Sequence, residues 1–405
     1  MRPTVVSLDN AVQNYGWGST SAIADLLGRP SPGGLPEAEL WIGAHPKAPS
    51  RVIDGSGECR LDEWIRRDPA ATLGTAVAAR YCELPFLLKV LAAAEPLSIQ
   101  CHPNAEQARG GFTRENEAGL SFADPRRNYR DPNHKPELLA ALTRFIALKG
   151  FRPIAEILAS FATFAADPVR EPLANLARAR DGGALKQLFG ALLSLDRYAR
   201  ALLLGQALAT AGGRSEAAWQ WVVRLHEKYP GDVGVLAPLL LNLIELEPDE
   251  GLFLGAGELH AYLEGTGLEL MANSDNVLRG GLTPKHVDAA ELLAVARFEG
   301  GHPEVLRPVP VADGERAYRT PASEFELSLI DLSPEAAYVA PPGRGVELLL
   351  GLRGNASLVA HGHTVALGQG RSAFVPAAMP TYRLEGEGRV CRARVPDGIG
   401  PEGGR

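Results

Sequence analysis

The sequence predicts a mainly β protein interrupted by a helical insert, and three features carry that prediction. Before residue 153, polar and apolar side chains alternate in short runs bounded by Gly and Pro. Between residues 154 and 246, Leu and Ala recur at helical spacing. After residue 325, short alternating runs divided by glycines return, the pattern of a small β-sandwich or barrel.

Taken in order, Asn14 to Ser19 is a glycine-flanked aromatic turn that contains Trp17, Ala22 to Leu27 is helical, and Pro30 to Pro36 is a loop. Ala38 to Gly43 alternates, with Glu39 and Trp41 to one side. Pro85 to Leu91 is an apolar strand interrupted by Lys89, which by itself reads as an edge or snorkelling lysine. The organising stretch is Pro96 to Asn104. There Ser98, Gln100 and His102 fall on one face and Leu97, Ile99 and Cys101 on the other. An unpaired interior amide or imidazole costs roughly 1–3 kcal/mol, so this strand lines a wet cavity or holds a metal.

The helical insert contains Ala184 to Leu193 and Ala217 to Leu225, punctuated by Asp181-Gly182-Gly183 and Ala211-Gly212-Gly213, with Trp219 and Trp221 as core. Strand character resumes at Gly251 to Leu263, where His260 and Tyr262 share a face. Leu268 to Gly281 follows, dense in Asn, Ser, Asp and Gly and flanked by Glu269 and Arg279. Thr283-Pro284 predicts a helix start with Thr283 as N-cap and Lys285 placed to meet an anion. Strands are predicted at 347–352, 356–360, 364–367, 372–376 and 381–384, and His361-Gly362-His363 between two of them reads as a hairpin turn rather than a metal pair. The Gly- and Pro-rich residues 396–405 are predicted to be disordered.

With 405 residues, 45% hydrophobic and 22% charged, the chain is long enough for about two to three domains. A net charge of -7 argues against nucleic acid or a membrane surface as partner. Met1 to Asn10 has no signal-peptide core and no apolar run is long enough to span a bilayer, so a cytoplasmic location is expected. Cys59, Cys82, Cys101 and Cys391 lack CxxC spacing and read as reduced packing residues.

Gln100 and His102 on one strand, Glu137 in Asn133 to Glu137, and His260 on a distant strand would make a four-ligand N/O site suited to Zn²⁺ or another divalent first-row metal. Spacing alone leaves this and four separately satisfied polar residues equally open.

Asn14 to Gly18, Ala38 to Pro46, Leu84 to Leu91, Pro96 to Asn104, Asn128 to Glu137, Leu148 to Pro153, Gly257 to Leu263 and Leu268 to Lys285 resemble, in content and order, the motifs of type I mannose-6-phosphate isomerases of the cupin superfamily. The resemblance covers nearly all of the first 290 residues and is loose beyond them. It implies one Zn²⁺ per chain at Gln100, His102, Glu137 and His260. It also implies a pocket of Trp17, Glu39, Lys89, Ser98, Lys135, Tyr262, Glu269, Arg279 and Lys285. The implied reaction interconverts mannose 6-phosphate and fructose 6-phosphate through an enediol. It requires a phosphate anchor, stabilisation of a negative oxygen and an acid–base pair. Arg279 and Lys285 are expected near the phosphate or the enediolate, with a hydroxyl from Ser98. His134, Lys135 and Glu269 are expected to move protons, and Asp275 to orient Arg279.

The implied fold is a cupin-type β-barrel (jelly roll) catalytic domain over 1–152 and 247–290, an α-helical domain over 153–246, and a second cupin-like barrel over 291–395. A monomer acting on a small sugar phosphate is expected, in carbohydrate metabolism or GDP-mannose supply. A cupin oxygenase that holds Fe(II), and a noncatalytic sugar-phosphate-binding cupin, are the other readings.

Overall fold

The computed structural model describes residues 4–53 and 58–397; of the tail expected to be disordered, all but Pro396 and Asp397 lies outside the described residues. The strands form two large, mainly antiparallel sheets, one of 10 strands and one of 11, and helices fill the segment between Ile154 and Leu240.

The long strand His260–Ala272 is the axis of the 10-stranded sheet. Its first half pairs with Phe145–Phe151 and meets Ile99–Cys101 at Gln100. Its second half pairs with Phe86–Ala93 and Glu137–Ala141. The exchange of partners falls at a register shift between Tyr262 and Glu264 and at Gly265, which has φ +128°. A Cβ at Gly265 would lie 2.7 Å from the Arg144 carbonyl oxygen, so the bend requires glycine there.

Period-two alternation divides this sheet chemically. Leu88, Val90, Leu138, Ala140, Leu268 and Leu270 pack with Phe325, Leu348, Phe374 and Cys391 in a core shared by both sheets. The intervening residues Lys89, Glu137 and Glu269 turn to the other face. The strand Ile99–Cys101 behaves as expected. Ile99 and Cys101 join Trp219, Trp221, Leu188 and Leu203 in the core of the helical segment, while Gln100 stays out of it.

The helices end where the sequence punctuates them. Asp181 caps Gly182–Leu193 by accepting from the Ala184 N–H at 2.8 Å, and Asp196 caps Arg197–Ala211. The expected helical segment 153–246 closes in a strand, however, because Leu241–Leu246 pairs with Phe145–Phe151. Buried Asn242 fixes that junction by donating from Nδ2 to the carbonyls of Lys149, Gly150, Phe151 and Gly301 at 2.8–3.1 Å. The helix expected from Thr283 begins instead at Ala289, capped by Asp288, while Thr283 Oγ1 accepts from the Lys285 N–H in a local turn. A Ser/Thr turn uses the same hydroxyl as an N-cap, and the sequence signal does not distinguish them.

In the 11-stranded sheet the two strands expected at 347–352 and 356–360 are one, Glu347–Ala360. The glycines there kink the strand without reversing it: the register shifts between Gly351 and Arg353, and Gly354 sits at φ +77°. His361 and Gly362 form the hairpin turn at φ +47° and +79°. Strands Val6–Asp9, Arg51–Ile53 and Glu58–Arg60, from the segment expected to belong wholly to the catalytic domain, lie in this sheet, with Val6 opposite Phe374.

A buried ionic network ties this sheet together. Arg392 pairs with Glu315, meets Glu347 at 3.2 Å and donates to the Tyr338 hydroxyl at 3.0 Å. Burial works against the Arg392 charge, but Glu347 and its other partners hold it ionised. Arg392→Met leaves interior Glu315 without its cation and Glu347 with Arg344 alone. It should cost about 3–5 kcal/mol of unfolding free energy, measured by urea denaturation; a loss below about 1 kcal/mol would contradict this account.

Candidate active site and metal centre

Register brings the site together. Residues directly opposite in antiparallel strands share a face, so Trp41, Lys89 and Glu269 form one row, with Glu39 beside Trp41 and Glu137 two residues from Leu139 of the same row. A second row contains Arg279, Gln100, His260 and Lys149. The bend at Gly265 sets the two rows against each other.

Where they meet, His102, Glu137 and His260 converge, all buried, with their ligand atoms within 4.8 Å of one another. Nε2 of His102 lies 3.3 Å from Glu137 Oε1, and Nε2 of His260 lies 3.5 Å from Glu137 Oε2. The tautomers follow from the far side of each ring. His102 Nδ1 is 2.8 Å from the Asn276 carbonyl oxygen, and His260 Nδ1 is 2.9 Å from that of Glu258. A carbonyl only accepts, so both Nδ1 atoms carry the proton and both Nε2 atoms present lone pairs. Burial, with the Lys135 ammonium, pushes His102 down to about 4, which keeps it neutral. Burial lowers His260 as well. Two lone pairs facing a carboxylate repel unless a cation lies among them, and His102 Nε2 is buried without a hydrogen-bond partner. This donor set fits a divalent metal, with its outer hydrogen bonds already made.

Burial works against the Glu137 carboxylate, and Lys135 Nζ, 3.0 Å away, is the positive charge that holds it well below the usual carboxylate range. Gln100 lies beside His260, half-buried, and its amide has no hydrogen-bond partner among the described residues.

Beside the triad, Lys89 Nζ meets Glu269 at 2.8 Å and Glu39 at 3.6 Å, and the Trp41 indole donates to Glu39 at 2.7 Å. Burial would lower the Lys89 ammonium, but Glu269 and Glu39 hold it above its ordinary range. Burial raises the Glu269 carboxyl, Lys89 draws it down, and Glu137 pushes it up again; the net position is above normal. Tyr262 is buried in the same region, and Trp17 packs at the edge of the cluster that contains Tyr262 and Leu97. Ser98, half-buried, precedes the strand Ile99–Cys101.

Arg279 and Lys285 have no carboxylate partner among the described residues. Burial lowers the Arg279 guanidinium, and Arg130 lowers it further. Burial, Arg279 and Arg130 likewise lower Lys285. Three cations repelling one another without an acid make a place for a multiply charged anion.

Two expected residues have partners that differ from the sequence reading. Asp275, expected to orient Arg279, meets Lys47 at 2.8 Å and His45 at 3.7 Å. Burial pushes His45 down to about 4 despite Asp275, so Lys47 is the cation of this group at neutral pH. His134, adjacent in sequence to Lys135, is held through Nε2 by Glu324 Oε1 at 2.8 Å, in the segment leading into the second sheet.

Sequence reasoning missed His45, Lys47, Arg130 and Asn276. His45, Arg130 and Asn276 lie within motifs that the sequence singles out, so they were visible without a role. Lys47 lies one residue beyond such a motif, and its partner Asp275 is distant in sequence.

Residues 5–154 match the family described as phosphomannose isomerase type I, catalytic domain. The mannose-6-phosphate isomerase of Escherichia coli is 41% identical over 95% of this chain and 98% of its own length. Mannose-6-phosphate isomerase 1 of Arabidopsis thaliana is 35% identical over 84% of this chain and 81% of its own. A mannose 6-phosphate isomerase structure from Salmonella typhimurium, bound to its substrate fructose 6-phosphate and to zinc, superimposes with a TM-score of 0.91 at 39% identity, covering 96% of this chain and 99% of that one. A holo, zinc-bound mannose 6-phosphate isomerase structure matches equally, at a TM-score of 0.91. The convergent triad, the paired rows of charge and relatives matched over almost their whole length together place this chain in the type I phosphomannose isomerase family.

Proposed function

We propose that the chain is a zinc-dependent aldose–ketose isomerase that interconverts D-mannose 6-phosphate and D-fructose 6-phosphate through an enediol(ate). The observation that carries this reading is the pair of bare Nε2 lone pairs of His102 and His260 directed at Glu137. These three residues, with Gln100, would hold one Zn²⁺ per chain. When bound, zinc supplies a Lewis acid that draws electron density from the sugar oxygens. The architecture we assign to this family member is a cupin-type catalytic domain over 1–152 and 247–290 that also takes in Leu241–Leu246, a helical domain over the rest of 153–246, and a second cupin-like domain over 291–395 to which Val6–Asp9, Arg51–Ile53 and Glu58–Arg60 add strands. We further assign it the state of a monomer in the cytoplasm, without nucleic-acid or membrane partners; no helix among the described residues is long and apolar enough to cross a membrane.

The residues divide the work as follows. Arg279 and Lys285, with Arg130 behind them, bind the phosphate, whose charge relieves their mutual repulsion, and Ser98 adds a hydroxyl. This demand for an anionic substrate favours a phosphorylated sugar over the oxygenase reading. Isomerisation removes a proton from C2 and returns one to C1. We assign these transfers to Lys135, Glu269 and His134. Glu269 suits the task because its raised carboxyl exchanges protons closer to neutrality than an ordinary glutamate. His134 donates from Nε2 to Glu324, which leaves Nδ1 as a proton acceptor. Glu39 and Trp41 hold Lys89 against Glu269, and Trp17 and Tyr262 shield the reacting carbons from water. Asp275 orders the wall through Lys47.

The testing experiment is a coupled assay of fructose 6-phosphate formation from mannose 6-phosphate, with and without a chelator, on protein of known metal content. Chelator-sensitive turnover with about one zinc per chain is expected; no turnover by the zinc-loaded protein would overturn the isomerase reading. His260→Ala should remove zinc and activity together, and full zinc occupancy by elemental analysis would show that His260 is not a ligand. Arg279→Ala should retain zinc while kcat/KM falls by about 10²–10³, the scale for losing one preorganised charge donor; an unchanged kcat/KM would remove Arg279 from the site.

A further inference from the structure

Asn276 is fully buried, and every polar atom it owns is engaged. Its Oδ1 accepts from the backbone N–H of Arg130 at 2.7 Å and of Asp131 at 3.2 Å. Its Nδ2 donates to the carbonyls of Asp131 and Asn133, both at 2.8 Å, and to Asp131 Oδ1 at 3.2 Å. Its own N–H reaches Ser274 Oγ at 3.2 Å. Its carbonyl oxygen accepts from His102 Nδ1 at 2.8 Å.

The side chain faces donors on one edge and acceptors on the other, so only a primary amide in this one orientation satisfies both. The segment it grips, Arg130 to Asn133, runs on to His134, Lys135 and Glu137. One residue therefore connects two segments that are distant in sequence: its backbone aims one proposed metal ligand, and its side chain anchors the loop that leads to another. Asp131 reinforces the clamp by accepting from the Asp275 N–H at 2.7 Å and the Ser274 hydroxyl at 2.8 Å.

We infer that Asn276 is a positioning residue that fixes His102 relative to the Lys135–Glu137 segment, so that zinc affinity and turnover both depend on its carboxamide. This rests on the isomerase reading for turnover, whereas the dependence of zinc affinity stands apart from it. Loss of the amide frees the Arg130 to Asn133 segment and the Asn276 carbonyl together. Outer-shell partners of this kind are worth about 10–100-fold in metal affinity or activity.

Asn276→Ala is compared with the parent and with Asn242→Ala, which removes another buried asparagine that donates to carbonyls of Lys149, Gly150, Phe151 and Gly301 but touches none of the proposed ligands. Zinc affinity is read by competition with a chromophoric chelator, and kcat and KM by the coupled assay at saturating zinc. In Asn276→Ala, zinc affinity should weaken by about 10–100-fold and kcat should fall by a similar factor, with a smaller rise in KM, because Arg130 moves with the freed segment while Arg279 and Lys285 stay. Asn242→Ala should lower the melting temperature while zinc affinity and kcat stay near the parent values.

Should Asn276→Ala not fold, Asn276→Asp keeps the size and the Oδ1 acceptor while removing the Nδ2 donors, and it should weaken zinc binding in the same direction. Zinc affinity and kcat near parental values in the folded variant, or equal losses in Asn276→Ala and Asn242→Ala, would overturn the inference. A parent that binds zinc but does not isomerise mannose 6-phosphate would instead overturn the isomerase reading, and the zinc competition would still decide the role of Asn276.

Discussion

Glu137 is a carboxylate in the protein interior, and the site is arranged around the cost of keeping it ionised there. An isolated interior carboxylate would take up a proton. Lys135 prevents that, while the two imidazoles turn lone pairs toward the carboxylate because their Nδ1 protons are committed to backbone carbonyls. The arrangement is therefore incomplete: three electron-rich groups face one another with nothing between them to accept their density. Glu269 shows the complementary case: it too is buried beside a lysine, Lys89, which Glu39 shares, but its carboxyl lies above the normal range. One carboxylate thus suits a metal and the other suits proton exchange, and the difference lies in what surrounds each.

The strand His260–Ala272 makes both environments available at once. Period-two alternation lets Leu268 and Leu270 join the core between the sheets while Glu269 faces the site. The change of partners near Gly265 brings the row containing His260 up to the row containing Glu269. A uniform strand would have carried these groups apart along a single sheet face.

Much of this was legible in the sequence because alternation is a local property. The strand Ile99–Cys101 and its two chemically different faces, the polar partners His260 and Tyr262, the helices closed by Asp181 and the turn at His361 and Gly362 all follow from near neighbours. What was not legible depends on distant pairing. Gly351 and Gly354 read as a chain reversal but kink a continuous strand, since a glycine permits either and the partner strand decides. Thr283 carries a capping signal that a local turn consumes. Leu241–Leu246 follows a Leu-rich helical run and becomes a strand only because Phe145–Phe151 has an open edge to receive it. Asp275 could not be matched to Lys47 from sequence, and Asn276 appears in it as one polar residue among several.

The strand Val6–Asp9, which pairs with Ser372–Val375, has a consequence for biosynthesis. The ribosome delivers Val6 long before Phe374. Every strand of the 10-stranded sheet, up to Leu278–Gly281, emerges before Phe325, Leu348 and Phe374, which cover Leu88, Val90, Leu268 and Leu270. Contacts of such long sequence separation form slowly, and apolar sheet faces left open meanwhile are prone to association. The nascent chain thus carries a nearly finished catalytic sheet whose back is bare. Covering that face waits on the strands that carry Leu348 and Phe374, which contribute none of the proposed zinc ligands.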